Sequence, residues 1–363
     1  MRALTVLVAT MAFSCLSLHS AYAQPNAGAA SLQVPVDARM EGMGQAYGPL
    51  STGAFAAWYN AAGLGFTEGL HLGFHTAKLV PDLADDVRHT YVSAAYGSAL
   101  LPDLPVNVAL NLSYNRLNYG EVQVTGPGGP DPITTVEPIE STVGLAAGLG
   151  IADILAVGGG VKFFSSDFKA PLDDPAKASA TTFDYGVQVQ TPALPGPNSD
   201  RSLPDWQIRA KAGMGWSNRG GELEYVPGTS PDPMPAVRRG SVGVDLRFFP
   251  LANNLPQDTW CVADRLRDRA WFNVRIAVGR ETEMTSGQDY KTNHQGFEVS
   301  VLDLFSFRKG RVYDPVSGIE DDTNGYGFNF LGYAGFDYAN IPQHRDLDRV
   351  KKYTFWVRVP LGS

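Results

Sequence analysis

From about residue 70 onward, apolar and polar side chains change places at nearly every step. In Val106–Asn115 the even positions are Val106, Val108, Leu110, Leu112 and Tyr114, and the odd ones Asn107, Ala109, Asn111, Ser113 and Asn115. Trp206–Trp216 sets Trp206, Ile208, Ala210, Ala212, Met214 and Trp216 against Gln207, Arg209, Lys211, Gly213 and Gly215. Ser241–Phe248 and Phe272–Arg280 repeat the pattern, as do Thr182–Gln190 and Tyr353–Leu361. A period of two belongs to strands with one apolar and one polar face. Such segments lie near 70–78, 88–98, 105–117, 141–150, 154–167, 180–190, 206–217, 239–249, 271–280, 294–304, 305–313, 325–332, 334–340 and 353–361, about fourteen in all. Beyond residue 66 no helical period is long enough to cover a sheet, although Trp260–Asp268 has room for one helical turn.

The connections differ by parity. Those after odd strands are long and polar, at 118–140, 168–179, 218–238, 281–293, 314–324 and 341–352. Several after even strands are tight, as at Gly150–Asp153, Leu304–Phe305 and Gly332–Tyr333, while 191–205 and 250–270 are long. Short turns on one rim and long loops on the other describe a transmembrane barrel. A soluble sandwich alternates too. The spacing of Trp206 and Trp216 separates the two readings. Ten residues are about 33 Å along a strand, and tilted by about 40° this projects to roughly 25 Å, the height of a lipid-facing band between aromatic girdles. The expectation is an all-β transmembrane antiparallel barrel of about fourteen strands. An even count returns the chain to its starting side, which puts both termini on the short-turn side.

The N-terminus supports export. Arg2, the apolar run Leu4–Leu18 and Ala21-Tyr22-Ala23 read as a signal peptide over 1–23, so the expected location is the outer membrane. Its removal takes away Arg2 and no acid, leaving 28 basic and 37 acidic residues of the original 29 and 37, a net −9. With no basic stripe, nucleic acid is not an expected partner. Of the two cysteines, Cys15 lies in the signal and Cys261 alone remains, so no intramolecular disulfide is expected. No linker or composition break divides the rest.

Candidate chemistry is sparse. His71 and His75, four residues apart on a strand, sit about 13 Å apart and cannot share a metal. Asp321–Gly325 has the acids of a calcium loop without its closing Glu, and reads as an acidic turn. Gly158–Gly160 lacks the Lys-Ser/Thr of a phosphate loop. No nucleophile–base set or catalytic carboxylate pair stands out, so neither catalytic residues nor metal nor cofactor is expected.

The stretch between signal and first strand is unlike the rest. Asp37-Ala-Arg-Met-Glu-Gly-Met-Gly-Gln-Ala-Tyr47 and Ala54-Phe-Ala-Ala-Trp-Tyr-Asn-Ala-Ala-Gly-Leu64 resemble the opening of the PorV/PorQ family of outer-membrane proteins, within the FadL-like group of fourteen-stranded barrels. The matching positions are Gly42, Met43, Gly44, Ala46, Asn60, Ala62, Gly63 and Leu64, with Gln45 for a commoner Gly and Ala61 for Pro. Gly296–Gly310, Gly325–Phe330 and Phe336–Ala339 resemble the family's C-terminal hairpins. The resemblance implies a plug or hatch over 24–66, with Gly42, Met43, Gly44, Trp58, Tyr59, Asn60, Gly63 and Leu64 as its motif, and a barrel over 67–363. Glycine and alanine permit close backbone approach, and Asn60 suits the cap of a turn. A helix lying on the short-turn rim is the other disposition such a segment could take.

Arg209, Lys211, Asp245, Arg247, Arg275, Arg280 and Arg358 are assigned to polar faces of neighbouring strands, as lumen lining, with Asp245 the nearest counter-charge. A hydrated, ion-paired lumen argues against a greasy conduit. The resemblance implies a non-enzymatic component of type IX secretion or surface attachment. Its partners would be outer-membrane lipid and secreted cargo or secretion-system proteins at the outer loops. The alternatives are a FadL-like channel for hydrophobic small molecules and a structural barrel subunit of a surface assembly.

Overall fold

The computed structural model describes residues 28–46, 48–81, 83–100, 104–125, 129, 131–169, 177–195, 205–249, 274–285, 291–314, 319–330, 332–343 and 347–360. The signal segment, Cys261, Trp260–Asp268 and the side chain of Trp206 lie outside the described residues. Fourteen strands form the wall: β1 Gly69–Val80, β2 Ala84–Ala99, β3 Val106–Asn118, β4 Ile139–Ile151, β5 Leu155–Asp167, β6 Lys177–Gln190, β7 Asp205–Arg219, β8 Val237–Phe249, β9 Val274–Thr285, β10 Thr292–Val301, β11 Phe305–Asp314, β12 Ile319–Phe330, β13 Ala334–Ile341 and β14 Val350–Val359. Each pairs antiparallel with its sequence neighbours, and β1 closes on β14 with His75 opposite Thr354. Closure leaves no unpaired edge, which a sheet in hydrocarbon cannot tolerate.

The two faces of the wall have opposite chemistry. Leu110, Leu112, Phe163, Phe355 and Val357 point out and are exposed, whereas Asn111, Thr142, Thr182 and Thr354 point in and are buried. Large apolar side chains bare on the outside and polar ones sealed within invert the soluble pattern. The protein is an integral outer-membrane barrel.

Two of the tight turns show how the short-turn rim is made. Ala152-Asp153 and Leu302-Asp303 have positive φ at both residues, the backbone that two-residue hairpin loops with matching twist require. The connections 191–204 and 250–273 at this rim are long, and 81–83 at the other rim is short. Two long loops carry hairpins of their own, Val122–Thr125 with Pro132–Val136 and Glu222–Leu223 with Asp232–Pro233. Asp321–Gly325, expected as a turn, lies within β12, paired to β11 throughout.

Two expectations are corrected. Arg280 faces outward: along β9 the buried positions are Ala277, Gly279 and Glu281, so Arg280 shares its face with Ile276 and Val278. A polar residue type was taken there for a polar face. The first and last described residues, Gly28 and Pro360, are not on one side either. Strand parity fixes the ends of the barrel, but Gly28–Phe66 threads through the lumen. Gly28 N donates to Pro233 O (3.2 Å) and Ser31 N to Glu140 (2.8 Å), both at the long-loop rim. Gly65 lies against Gly150 at the short-turn rim.

This places a labelling site. A cysteine at the exposed Ala30 should react with an impermeant maleimide on intact cells, in a Cys261→Ser background, while one at Ile154 stays silent. Labelling only at Ile154 would mean that the barrel is inverted.

Candidate functional site

The site is the lumen and the segment that occupies it. Asp37 caps helix α1 (Ala38–Gly42) by accepting from Arg39 N (2.9 Å), and a second short helix, α2, spans Ala56–Tyr59. Asn60 ends α2 and begins the next turn: its Oδ1 accepts from Ala62 N (3.0 Å), and its Nδ2 donates to Val187 O and Met214 O of the wall (3.2 and 3.3 Å). One side chain thus caps the segment and fastens it to β6 and β7.

The motif residues are contact points. A Cβ on Gly42 would come within 2.9 Å of Gly325 Cα. Gly44 has φ +63 and lies against the backbone of Arg311. Met43 presents its carbonyl to Gly296, Leu64 and Gly65 abut Gly148, and Gly63 abuts Ser51 O. Trp58 packs edge-on to Tyr91 (5.5 Å), with Lys162 Nζ 4.6 Å above its ring. The Tyr59 hydroxyl accepts from Val36 N (3.0 Å). Lys162 also pairs with Asp184 (2.8 Å) and donates to Asn218 (2.9 Å). Asn218 sits with positive φ where the β6–β7 register breaks, so this knot closes an irregular seam of the wall.

Of the expected lumen charges, the structure joins Asp245 and Arg275 (2.8 and 2.6 Å). Arg209 turns to Asp153 in a short turn (3.0 Å), and Lys211 lies inward beside Gly243 and Gly213 on β7. Arg247 is exposed near the rim, and Arg358 lies on β14, away from the β7–β9 group. Arg209, Lys211, Asp245, Arg247 and Arg275 thus share one stretch of the inner wall, Arg209 opposite Asp245 and Arg247 opposite Arg275, while Arg358 stands apart from them.

The organising group is Glu298, which is fully buried on β10. It accepts two bonds from Arg39 of the luminal segment (2.8 and 2.6 Å), one from Arg308 (2.6 Å) and one from Arg275 (3.3 Å). Arg308 continues to Asp337 (2.7 Å), which accepts from Trp356 Nε1 (3.1 Å). Glu41 of the segment takes Lys352 of β14 (2.5 Å). Gly48 N donates to Glu281, which faces Arg239 (3.6 Å). Arg39 and Glu41 stand in the opening motif itself. A charge inside a luminal segment demands an opposite charge on the wall, and that was the signal available for Glu298 and Lys352.

The lumen is filled, not hydrated throughout. Charges run along the wall, while the centre is an apolar column: Leu223, Met234 and Leu32 near the long loops, then Val36, Phe55, Trp58, Tyr59, Met40 and Met43. Tyr225 packs against it and, with Phe168 (5.2 Å) and Tyr119 (6.4 Å from Phe168), extends it toward the mouth. Among the described residues no group of three or more His, Cys, Asp or Glu could hold a metal ion. His75 bonds Thr354 (2.9 Å) and His71 bonds Glu68 O (2.9 Å).

No protein-family model matches the chain, and no curated protein matches it. Among solved structures it is similar to the CymD monoaromatic hydrocarbon channel, at 11% identity and TM-score 0.47, over 90% of this chain and 98% of that one. The toluene transporter TodX of Pseudomonas putida gives 10% and 0.40, over 93% and 98%. A FadL homologue of Pseudomonas aeruginosa gives 13% and 0.36, over 93% and 98%. These are FadL-like outer-membrane barrels; the PorV/PorQ branch is not singled out. Likeness at this level carries no argument about what the chain does.

Two outcomes follow for the luminal segment. Glu298→Gln leaves three arginines without their shared anion, and breaking such a buried set costs about 3–5 kcal/mol. The variant should lose its folded electrophoretic form at lower urea, with Lys78→Gln, from an exposed pair, as the unchanged control. Asp37 belongs to the segment and not to the wall; burial and then Asp337 raise it from 3.8 to about 7, against Arg39 and Arg308. An acid raised on folding holds a proton that the unfolded chain has lost, so stability falls as pH climbs through that window. Relative to Asp37→Asn, the wild type should lose stability from pH about 4 to about 7 and run level above it. A rise instead would show Asp37 to be stabilised as the anion.

Proposed function

We propose that the chain is a non-enzymatic outer-membrane channel for small hydrophobic molecules, closed at rest by its own N-terminal segment. The supporting observation is the apolar column. It runs from Leu223 and Met234 at the long-loop side to Trp58 and Met43 within the barrel, while the wall charges are taken up in pairs around it. An apolar solute entering from outside can exchange contacts with the column, whereas an ion would have to break into buried pairs. The segment is held to the wall by polar contacts at discrete points, and parting those at Ala54, which accepts from Ser93 and Asn111, frees its apolar centre to yield.

The secretion or attachment role would use the outer loops 118–140 and 218–238 as receiving surfaces. The second of these sends Leu223 and Met234 inward, where both are buried, and its Pro233 holds Gly28, while its tip at 226–232 is exposed. Inward packing favours the channel.

A reversible lock tests the reading. Ser93 Oγ donates to Ala54 O (2.6 Å), so cysteines at 54 and 93 can tie the segment to β2. In intact cells, oxidation should reduce uptake of a neutral aromatic hydrocarbon to that of cells lacking the protein, and reductant should restore it. Uptake indifferent to the lock, or equal without the protein, would refute the channel.

A further inference from the structure

The outside of the barrel is not equally apolar all round. On β3 the outward side chains from the short-turn rim are Val106, Val108, Leu110, Leu112 and Tyr114, and only then Arg116. On β11 they are Phe305 and Phe307, and then Lys309. Arg311 follows on the same strand, and Arg280 comes directly after Val274, Ile276 and Val278 on β9. At about 3.3 Å per residue and a tilt near 40°, the first charge stands about 25 Å above the rim on β3 but only about 10 Å above it on β11. The outward charges that descend furthest into the band are the cations Lys309, Arg311 and Arg280, with Asp322 of β12 facing out beside Arg311.

Hydrocarbon does not cover such a face, because bare cations at mid-depth are costly. Lys309 reaches Asp322 (2.9 Å) and Arg311 reaches Glu320 (2.7 Å), both pairs about half exposed. Arg280 has no ion pair among the described residues, so the patch keeps a positive excess. Directly beside it is a recess of about 1000 Å³, floored by Val244, Ile276 and Phe297 and bordered by Arg280, Lys309 and Arg311, with Asp322, the partner of Lys309, at its edge. A recess of about 670 Å³ near the long-loop end of β1, β2 and β14 mixes Lys78, Arg88 and Lys351 with Asp85 and Asp348, and one of about 550 Å³ between β14 and β4 carries no charge. The latter is ordinary lipid contact.

We propose that the recess over β8–β11 holds a phosphate-bearing lipid of the outer leaflet, acyl chains along Val244, Ile276 and Phe297, phosphate on Arg280, Lys309 and Arg311. The order fits: the apolar floor lies toward the short-turn rim and the cations above it, on long side chains that can reach up toward the headgroup level, the order of tail and head in that leaflet. The charge fits, since a phosphate oxygen accepts from arginine in a fork and from lysine as a point charge. A second copy fits less well. A two-fold axis along the membrane normal keeps every residue at its height and would set these cations against themselves.

The test uses the full chain in mild detergent, stripped of lipid and then offered purified lipid A or its dephosphorylated form. Native mass spectrometry should show lipid A retained by the wild type and by Arg116→Gln. Retention should be lost in the triple variant Arg280→Gln, Lys309→Gln, Arg311→Gln, and the dephosphorylated lipid should not be held. Heat-modifiable migration confirms that each barrel is folded. Equal retention by the triple variant, or equal binding of the dephosphorylated lipid, would overturn the proposal. So would a wild-type dimer that the triple variant loses, which would make this face a contact between copies.

Discussion

The close passage of one backbone over another is the constraint on which the rest depends. Residues 42–67 run round the inside of the wall, and glycines stand where they touch it: Gly325, Gly310, Gly296 and Gly279 under Gly42–Ala46, and Gly186, Gly158 and Gly150 under Asn60–Gly65. These wall positions lie on seven strands, so the fit is made by most of the circumference. With the backbone held against the wall, the larger side chains of the segment can only turn to the centre. Met40, Met43, Phe55, Trp58 and Tyr59 meet there and make the core that a barrel of this size would lack.

The ion pairs do a different task. A buried pair rarely gains more than apolar groups of the same shape would, but removing one partner is costly, so such pairs select one arrangement over its neighbours. Arg39 on Glu298 and Glu41 on Lys352 fix the rotation of α1 against β10 and β14. Sliding the segment by one residue would exchange these charges for Ala38 or Met40. The glycines permit sliding in a way that large side chains would not, and the charges forbid it.

The wall was legible in the sequence because its signal is local. A strand's two faces are written in alternate residues, and Val106–Asn118 reads the same whatever surrounds it. The segment was legible in part, since small residues and Asn60 announce a close fit without saying against what. Glu298 was hidden because its partners lie 259, 23 and 10 positions away, and no periodicity links them. Arg280 was misplaced because its chemistry suggested the lumen while its parity required the outside. Parity is fixed by backbone geometry, and side-chain type does not override it.

The segment that passes from one rim to the other also orders assembly in time. The seam between β1 and β14 joins residues nearly three hundred positions apart, such as Gly73 and Trp356, so it carries the longest loop closure in the wall. A chain end could be drawn through a finished ring only if there were clearance, and the wall glycines leave none where Ala46 crosses Gly279 or Gly65 crosses Gly150. The ring must therefore close around a segment already in place, with Ala38 and His75 meeting Thr354 as the last stave is set.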